Sequence, residues 1–500
     1  MTTATSTGTR ITPPREHYGR LKNYVNGQWV DSRSTDVRDI VNPATGQGIA
    51  QVPYSTPAEV REAVRAAKAA FRTWQDVPPV RRARPFFTLK QLMEEQFEAL
   101  AQVLVQELGK TIADARAEVR RAVEEVECAC GIPSLIKGDL HDTISPNIDL
   151  QVVYVPRGVF FMVPSFNFPA LVPLEYMPYA VACGNTYIVK PSPIVPISQV
   201  RIFELIEQCG FPPGVINLVH GDAEVVNALM QDPDTEGFSF VGSTPVGKML
   251  YAQAAANGKR GQCATGAKNH FVVMPDADLD QAVAAILSSF FGAAGQRCLA
   301  GSILVPVGQV YQPLLKKLVG AASAMKIGYG MDEAVELGPV VTHKARARIV
   351  GYIEQGVAEG ARLLLDGRDV QVDGYPDGAF LGPTIFDEVT PEMVIAREEI
   401  FGPVCCILRA DDLDQALERI QASPFGHSAM LFTSSGAAAR KFQHQASCGN
   451  IGINIGVAAT QAYATLGGLK QSAYGDVHGR SESVLFFTDR KIVVSRWDGS

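Results

Sequence analysis

Cysteine is scarce in this 500-residue chain: there are nine, with no C-x-x-C pair and no Cys/His spacing suited to zinc. Their odd number and wide scatter argue against a secreted disulfide framework and for a reducing compartment, in which most thiols serve as small buried hydrophobes. Positive charge is not in excess either. With 45 Lys and Arg against 52 Asp and Glu the net charge is −7, which recommends neither nucleic acid nor an anionic membrane as a partner. Long apolar runs are missing: Gly, Pro or charge interrupts every candidate, including 158–173, before it reaches the length of a membrane span. The opening residues lack the apolar core of a secretory signal, and Pro13-Pro14 interrupts the helix that a transit peptide needs. Residues 1–20 read as a polar, flexible arm on a cytoplasmic protein.

What is present is an ordinary globular composition, 46 % hydrophobic and 19 % charged. The length suits about three structural units with more than one large core. Thr56-Pro57-Ala58-Glu59 combines a capping box with Pro at the first helical position, and Val60, Val64, Ala67, Phe71 and Trp74 follow at helical spacing. A second amphipathic helix is expected over 86–108, stopped by Gly109, and a third over 112–130. Beyond it, short apolar strands at 158–163, 186–189, 215–219 and 237–241 alternate with helices near 197–208, 223–230 and 245–257, the signature of a parallel sheet wound through βαβ units. A second alternation places strands near 271–274, 302–306, 404–408, 428–432 and 450–454. Segments 148–155 and 483–495 look like strands that belong to neither sheet and suit an arm or an oligomerisation flap. The fold class is α/β, with two parallel-sheet domains and a small β arm.

Among the thiols, Cys298 has the most informative flank, Gly295-Gln-Arg-Cys298-Leu-Ala-Gly301. Small residues let backbone approach a ligand, and the adjacent Arg297 supplies positive charge to hold a thiolate. The pattern alone leaves open a nucleophile or a buried Cys near a helix end. Asn167 stands between two aromatics just after a strand, either as a rigid amide donor to an oxyanion or as an ordinary turn residue. Gly242-Ser243-Thr-Pro-Val-Gly247 follows a strand and opens a helix, a setting that favours a pyrophosphate although the spacing is that of neither a P-loop nor a full dinucleotide fingerprint. Lys190, at a strand end, suits ribose hydroxyls or a phosphate.

Taken in order, Phe166-Asn-Phe-Pro169, Gly184-Asn-Thr-Tyr-Ile-Val-Lys-Pro191, Phe240-Val-Gly-Ser-Thr-Pro-Val-Gly247, Gly295-Gln-Arg-Cys298 and Glu398-Glu-Ile-Phe-Gly-Pro403 resemble the aldehyde dehydrogenase superfamily over essentially the whole chain. The resemblance implies that Cys298 is the nucleophile and that Asn167, with the Cys298 backbone N–H, holds the oxyanion. It implies a cofactor site in which Lys190 meets the adenosine ribose, Ser243 beside Gly242 the pyrophosphate and Glu399 the nicotinamide ribose, with Phe166 and Phe401 nearby. It also implies a dinucleotide-binding domain over 21–137 and 157–267, a catalytic domain over 268–475, oligomerisation segments over 138–156 and 476–500, and a homo-oligomer, dimer or tetramer.

The departures narrow the reading. Where the superfamily commonly has the Glu that activates water, this chain has Ala264 in Ala264-Thr-Gly-Ala-Lys268-Asn-His270. A thioacyl enzyme without that base waits for a better nucleophile, and the thiol of coenzyme A is the obvious one. The Gly-Ala-Lys-Asn-His run and Val-His220-Gly-Asp resemble the CoA-acylating methylmalonate-semialdehyde dehydrogenase branch, in which two arginines are associated with a β-carboxylate. Arg121 and Arg297 match them. Pro193 replaces the acid that commonly meets the ribose 2′-hydroxyl, so NAD is expected with NADP not excluded. The run 455–463 lacks the branch's proline-rich stretch and suggests a differently shaped acyl pocket. The expected activity is NAD-dependent oxidation of a malonate- or methylmalonate-semialdehyde-type substrate, with decarboxylation and acyl transfer to CoA. The competing readings are a hydrolytic enzyme that releases a free acid from a bulkier aldehyde and a catalytically idle scaffold.

Overall fold

The computed structural model describes residues 13–458, 462–476 and 478–497. Most of the polar arm expected over 1–20 lies outside them. Where the described chain begins it is soon held: Tyr18 N–H donates to Ile49 O at 2.7 Å and its hydroxyl to Gln106 at 2.9 Å.

The first helix, Pro57–Trp74, starts on the expected capping box, with Thr56 and Glu59 satisfying each other's backbone N–H groups. The helix expected over 86–108 is two, Pro79–Glu95 and Phe97–Leu108, broken at Gln96. The overlooked signal is Pro78-Pro79, because a Pro at the first helical position starts a helix without losing a hydrogen bond. Gly109, at φ +87°, ends the pair, and a Cβ there meets Pro339 and Pro43. The third helix is Ile112–Cys130, as expected.

The first βα alternation builds an eight-stranded sheet. Its parallel centre runs Ile216–Leu218, Thr186–Val189, Val159–Val163, Thr235–Val241, Arg260–Ala264, with Asn23–Val25 and Ala473–Gly475 antiparallel at the two sides. Helix Ile112–Cys130 shares one apolar cluster with Phe160 and Met162, while Pro57–Trp74 and Ala223–Gln231 cover Val159 and Phe161 on the other face. The second alternation builds a seven-stranded sheet in the order Arg362–Leu365, Thr384–Asp387, Val404–Ile407, Gly301–Pro306, Asn269–Val273, Ser428–Phe432, Asn450–Ile453, antiparallel only at the first pair. Strand Arg260–Ala264 and the pair Arg362–Leu365 and Thr384–Asp387 were not expected; short runs interrupted by Arg, Gly, Asp or Gln carry little strand periodicity.

The two outlying segments pair with each other. Ile148–Pro156 lies antiparallel to Thr488–Arg496 on one side and to Asp139–Ser145 on the other. The strand expected to begin at 483 begins at Thr488, because Arg480–Phe487 is a helix that buries Val484, Phe486 and Phe487 against the core around Phe160.

Candidate active site

The carboxyl ends of the eight-stranded sheet face the amino ends of the seven-stranded sheet, and the residues singled out from the sequence collect along that seam. Phe166 and Asn167 follow strand Val159–Val163, Lys190 follows Thr186–Val189, and Gly242 and Ser243 follow Thr235–Val241. From the other side, Cys298 precedes Gly301–Pro306 and Glu399 and Phe401 precede Val404–Ile407. Cys298 lies between two hollows. A cavity of about 470 Å³ on one side is lined by Asn167, Arg121, Arg297, Ala264 and His427, and a narrow pocket on the other by Glu399 and Phe401.

Cys298 is presented by a strained loop. Ala293, Ala294 and Gly295 all have φ between +49° and +66°, and a Cβ at Gly295 meets the Gly402 carbonyl. Asn269 holds the exit of that loop: its Nδ2 donates to Cys298 O and Ala300 O, both at 2.7 Å, while its Oδ1 accepts from Ser428 N–H at 3.0 Å. Burial pushes the Cys298 thiol up to about 12, with Glu175 and Glu399 adding to the rise and the backbone at 298 and 299 opposing it. The sequence-based role of Arg297 in holding the thiolate is therefore corrected. Its guanidinium is turned into the Asp114 carboxylate and lies against Gly292, so its charge is already neutralised.

Asn167 is 4 % exposed, and its Oδ1 accepts from the Ser165 hydroxyl at 2.7 Å, which leaves Nδ2 as the end that donates. Two residues outside the sequence motifs set its position. Glu118 accepts from the backbone N–H groups of Ala170 and Leu171 at 2.9 and 3.2 Å and is ion-paired to buried Lys110, whose Nζ sits 3.7 Å from the centre of the Phe168 ring. The signal was available, because Glu118 and Glu125 stand seven residues apart next to the apolar face of helix Ile112–Cys130. Arg121, on the same helix, lines the cavity and is paired with Glu124 at 3.6 Å.

On the opposite side the groups fit a nicotinamide dinucleotide. Ser243 is the N-cap of the thirteen-residue helix Thr244–Ala256, and its side chain makes no capping hydrogen bond, so a hydroxyl and a helix N-terminus remain for a phosphate. Gly242 contributes less than expected, since its N–H is donated to Ala264 O at 3.1 Å. Buried Lys190 gives one bond to Gly221 O at 3.2 Å, which leaves two ammonium hydrogens, and burial lowers its pKa to about 8. Glu399 accepts from Ala267 N–H at 3.0 Å and is pushed up to about 7 by burial. Phe401, at φ +53°, meets Phe166 edge to face, with ring centres 5.6 Å apart.

Residues 29–493 match the aldehyde dehydrogenase family model, and the chain belongs to that family, an oxidoreductase acting on aldehydes. Among its relatives, malonate-semialdehyde dehydrogenase 1 of Geobacillus kaustophilus (strain HTA426) is 48 % identical over 479 residues, covering 96 % of this chain and 98 % of that one. The malonate-semialdehyde dehydrogenase of Pseudomonas aeruginosa PAO1 is 44 % identical over 481 residues, covering 96 % and 97 %. A crystal structure from Sinorhizobium meliloti 1021, solved in complex with NAD and carrying a provisional methylmalonate-semialdehyde dehydrogenase assignment, superposes with a TM-score of 0.95 at 40 % identity, covering 97 % and 99 %. The methylmalonate-semialdehyde dehydrogenase of Oceanimonas doudoroffii has the same TM-score at 39 % identity, covering 97 % and 99 %.

Proposed function

We propose that this chain oxidises malonate semialdehyde, or a closely similar β-carboxylated aldehyde, and passes the acyl group from Cys298 to coenzyme A, with NAD as hydride acceptor. One observation carries the transfer to CoA: among the described residues, no carboxylate in the cavity wall is free to activate water. Ala264 occupies the place of the usual base. Asp114 is engaged by Arg297 and the Ala293 N–H, Glu118 by Lys110 and two backbone N–H groups, and Glu125 by the Tyr179 hydroxyl. Glu175 is pushed up to about 8 by burial and by Glu125, and is mostly protonated at pH 7.

The Cys298 thiol loses its proton to solvent and its sulfur attacks the aldehyde carbon, while Asn167 Nδ2 with the Cys298 N–H stabilises the oxygen that gains negative charge. The dinucleotide accepts the hydride when it is bound. Lys190, Ser243 and Glu399 hold its ribose and phosphate groups, and Phe401 packs near the ring. A thioester on Cys298 results. Arg121 supplies positive charge at the cavity wall for the substrate carboxylate, and Arg297, its charge already met by Asp114, supplies only guanidinium N–H donors; loss of that carboxylate as CO₂ gives acetyl-CoA from malonate semialdehyde. Support for this substrate class comes from the names of the relatives and from the two arginines in the cavity. The family implies a homo-oligomer built through the β arm.

The test is rapid mixing of enzyme, malonate semialdehyde and NAD. Without CoA, reduced cofactor appears as a burst of about one equivalent per active site and then stalls. With CoA the reaction turns over and acetyl-CoA accumulates. Steady turnover without CoA, with a free acid as product, replaces this reading with the hydrolytic one.

A further inference from the structure

An acyl transfer to a thiol still needs a group to take the thiol's proton, and most polar groups in the acyl cavity are already committed. Glu175 is protonated near neutral pH, and Glu125 accepts from Tyr179 at 2.8 Å. His478 shares Nδ1 with the Tyr176 hydroxyl at 3.1 Å and has Nε2 3.8 Å from Glu175. His427 differs from all of these. It is 3 % exposed, and among the described residues its ring nitrogens have no side-chain partner; the Gly467 backbone is the one group close enough to offset its burial. A buried imidazole in that state costs about 1–3 kcal/mol for each unsatisfied group, and native structures rarely keep one without a use.

Its placement supplies the use. His427 lines the cavity that holds Cys298, and together with Ala264 and His478 it also lines a small adjoining pocket. Its own carbonyl accepts from Asn450 N–H at 3.0 Å and Nδ2 at 2.9 Å, and the next residue, Ser428, donates to Asn269. That same Asn269 amide holds Cys298 O. One side chain therefore fixes the nucleophile and the imidazole relative to each other. Burial, opposed in part by a hydrogen bond to the Gly467 backbone, keeps the ring neutral above about pH 4, so one nitrogen is an acceptor throughout the neutral range.

We propose that His427 accepts the proton of the attacking thiol during discharge of the Cys298 thioester. The step rests on the acyl-enzyme reading above and deepens it. The S–H bond of CoA breaks as its proton passes to the free ring nitrogen, and its sulfur forms a bond to the thioester carbonyl carbon. The bond from that carbon to Cys298 Sγ then breaks, and the departing sulfur takes the proton back from the imidazolium. No further reactant is consumed, and both residues return to their starting state.

The experiment uses the full chain with His427→Asn and His427→Gln. Acyl-enzyme is formed by rapid mixing with aldehyde and NAD, then chased with CoA or with hydroxylamine, which attacks without prior loss of a proton. The cofactor burst should keep its amplitude and, within about twofold, its rate, which also reports correct folding. Discharge to CoA should slow roughly 10²-fold and lose its solvent deuterium isotope effect, while discharge to hydroxylamine stays unchanged. Equal slowing of the burst and of both discharges, or an unchanged CoA discharge, overturns the assignment. If the wild-type acyl-enzyme discharges to water instead, the CoA reading fails separately. A hydrolysis rate that falls in His427→Asn then still supports the imidazole as proton acceptor, and one that does not fall overturns it.

Discussion

The two sheet edges that meet at Cys298 are built on different principles. On the carboxyl edge of the eight-stranded sheet, groups are offered by ordinary means: a lysine at a strand end, a serine at a helix N-cap, and an amide after a strand, none of them at positive φ. On the amino edge of the seven-stranded sheet, Ala293, Ala294 and Phe401 all adopt left-handed backbone, at about 1–2 kcal/mol each for a residue with a side chain, and the Asn269 amide clamps the Cys298 loop. The nucleophile is set on strained backbone, whereas Lys190, Ser243 and Asn167 are offered from relaxed backbone. Strain fixes an atom's position closely, whereas a dinucleotide with many contacts tolerates small displacements in any one of them.

The largest test of this contrast is Cys298→Ala. It should remove both the cofactor burst and turnover, roughly 10⁴-fold or more, while dinucleotide affinity measured by titration changes little. Asn167→Ala comes next, because this residue from the relaxed edge reaches the reacting atoms. Its burst rate should fall about 10²–10³-fold with little change in the cofactor KM. Lys190→Ala should show the converse pattern, an apparent cofactor KM raised about tenfold with kcat within a factor of two, as expected for one lost charge-assisted hydrogen bond. A large fall in kcat for Lys190→Ala would erase the distinction between the edges. The smallest effect concerns the cavity wall. Glu175 holds its proton up to about pH 8 when folded and only to the ordinary carboxyl range when unfolded, so its contribution to stability is complete below about pH 4.5 and is lost as pH rises through 8. Melting temperature should fall between pH 6 and pH 9 by the equivalent of about 2 kcal/mol, and Glu175→Gln should flatten that slope.

The relaxed edge was the more legible in the sequence. Strand Thr186–Val189 and the strand and helix around Ser243 follow directly from apolar periodicity and helix-start chemistry, and Lys190 and Ser243 lie where those patterns put them. The strained edge was legible only as a motif around Cys298. Nothing local announces that two alanines adopt left-handed backbone, or that Asn269 ties together residues 298 and 428. The direction of Arg297 is hidden for the same reason: a neighbour in sequence need not be a neighbour in charge, and the chain turns its guanidinium to Asp114, 183 residues away. Residues 483–487, expected as the start of a strand, belong to helix Arg480–Phe487 because Val, Leu and Phe suit either element and only packing against Phe160 decides between them.

The wall of the acyl cavity has a consequence for the order in which the molecule can be assembled during synthesis. His478 meets Tyr176 across 302 residues, and Asp489 pairs with Arg157 across 332. A chain emerging from the ribosome at about 5–20 residues per second presents helix Ile112–Cys130, the Asn167 turn and the Cys298 loop well before the segment that closes over them arrives. Until then Tyr176 and strand Ile148–Pro156 are exposed to water and to neighbouring chains. Closure of the cavity thus waits for residues 478–489, and a reactive thiol gains its enclosed setting only after that segment has been made.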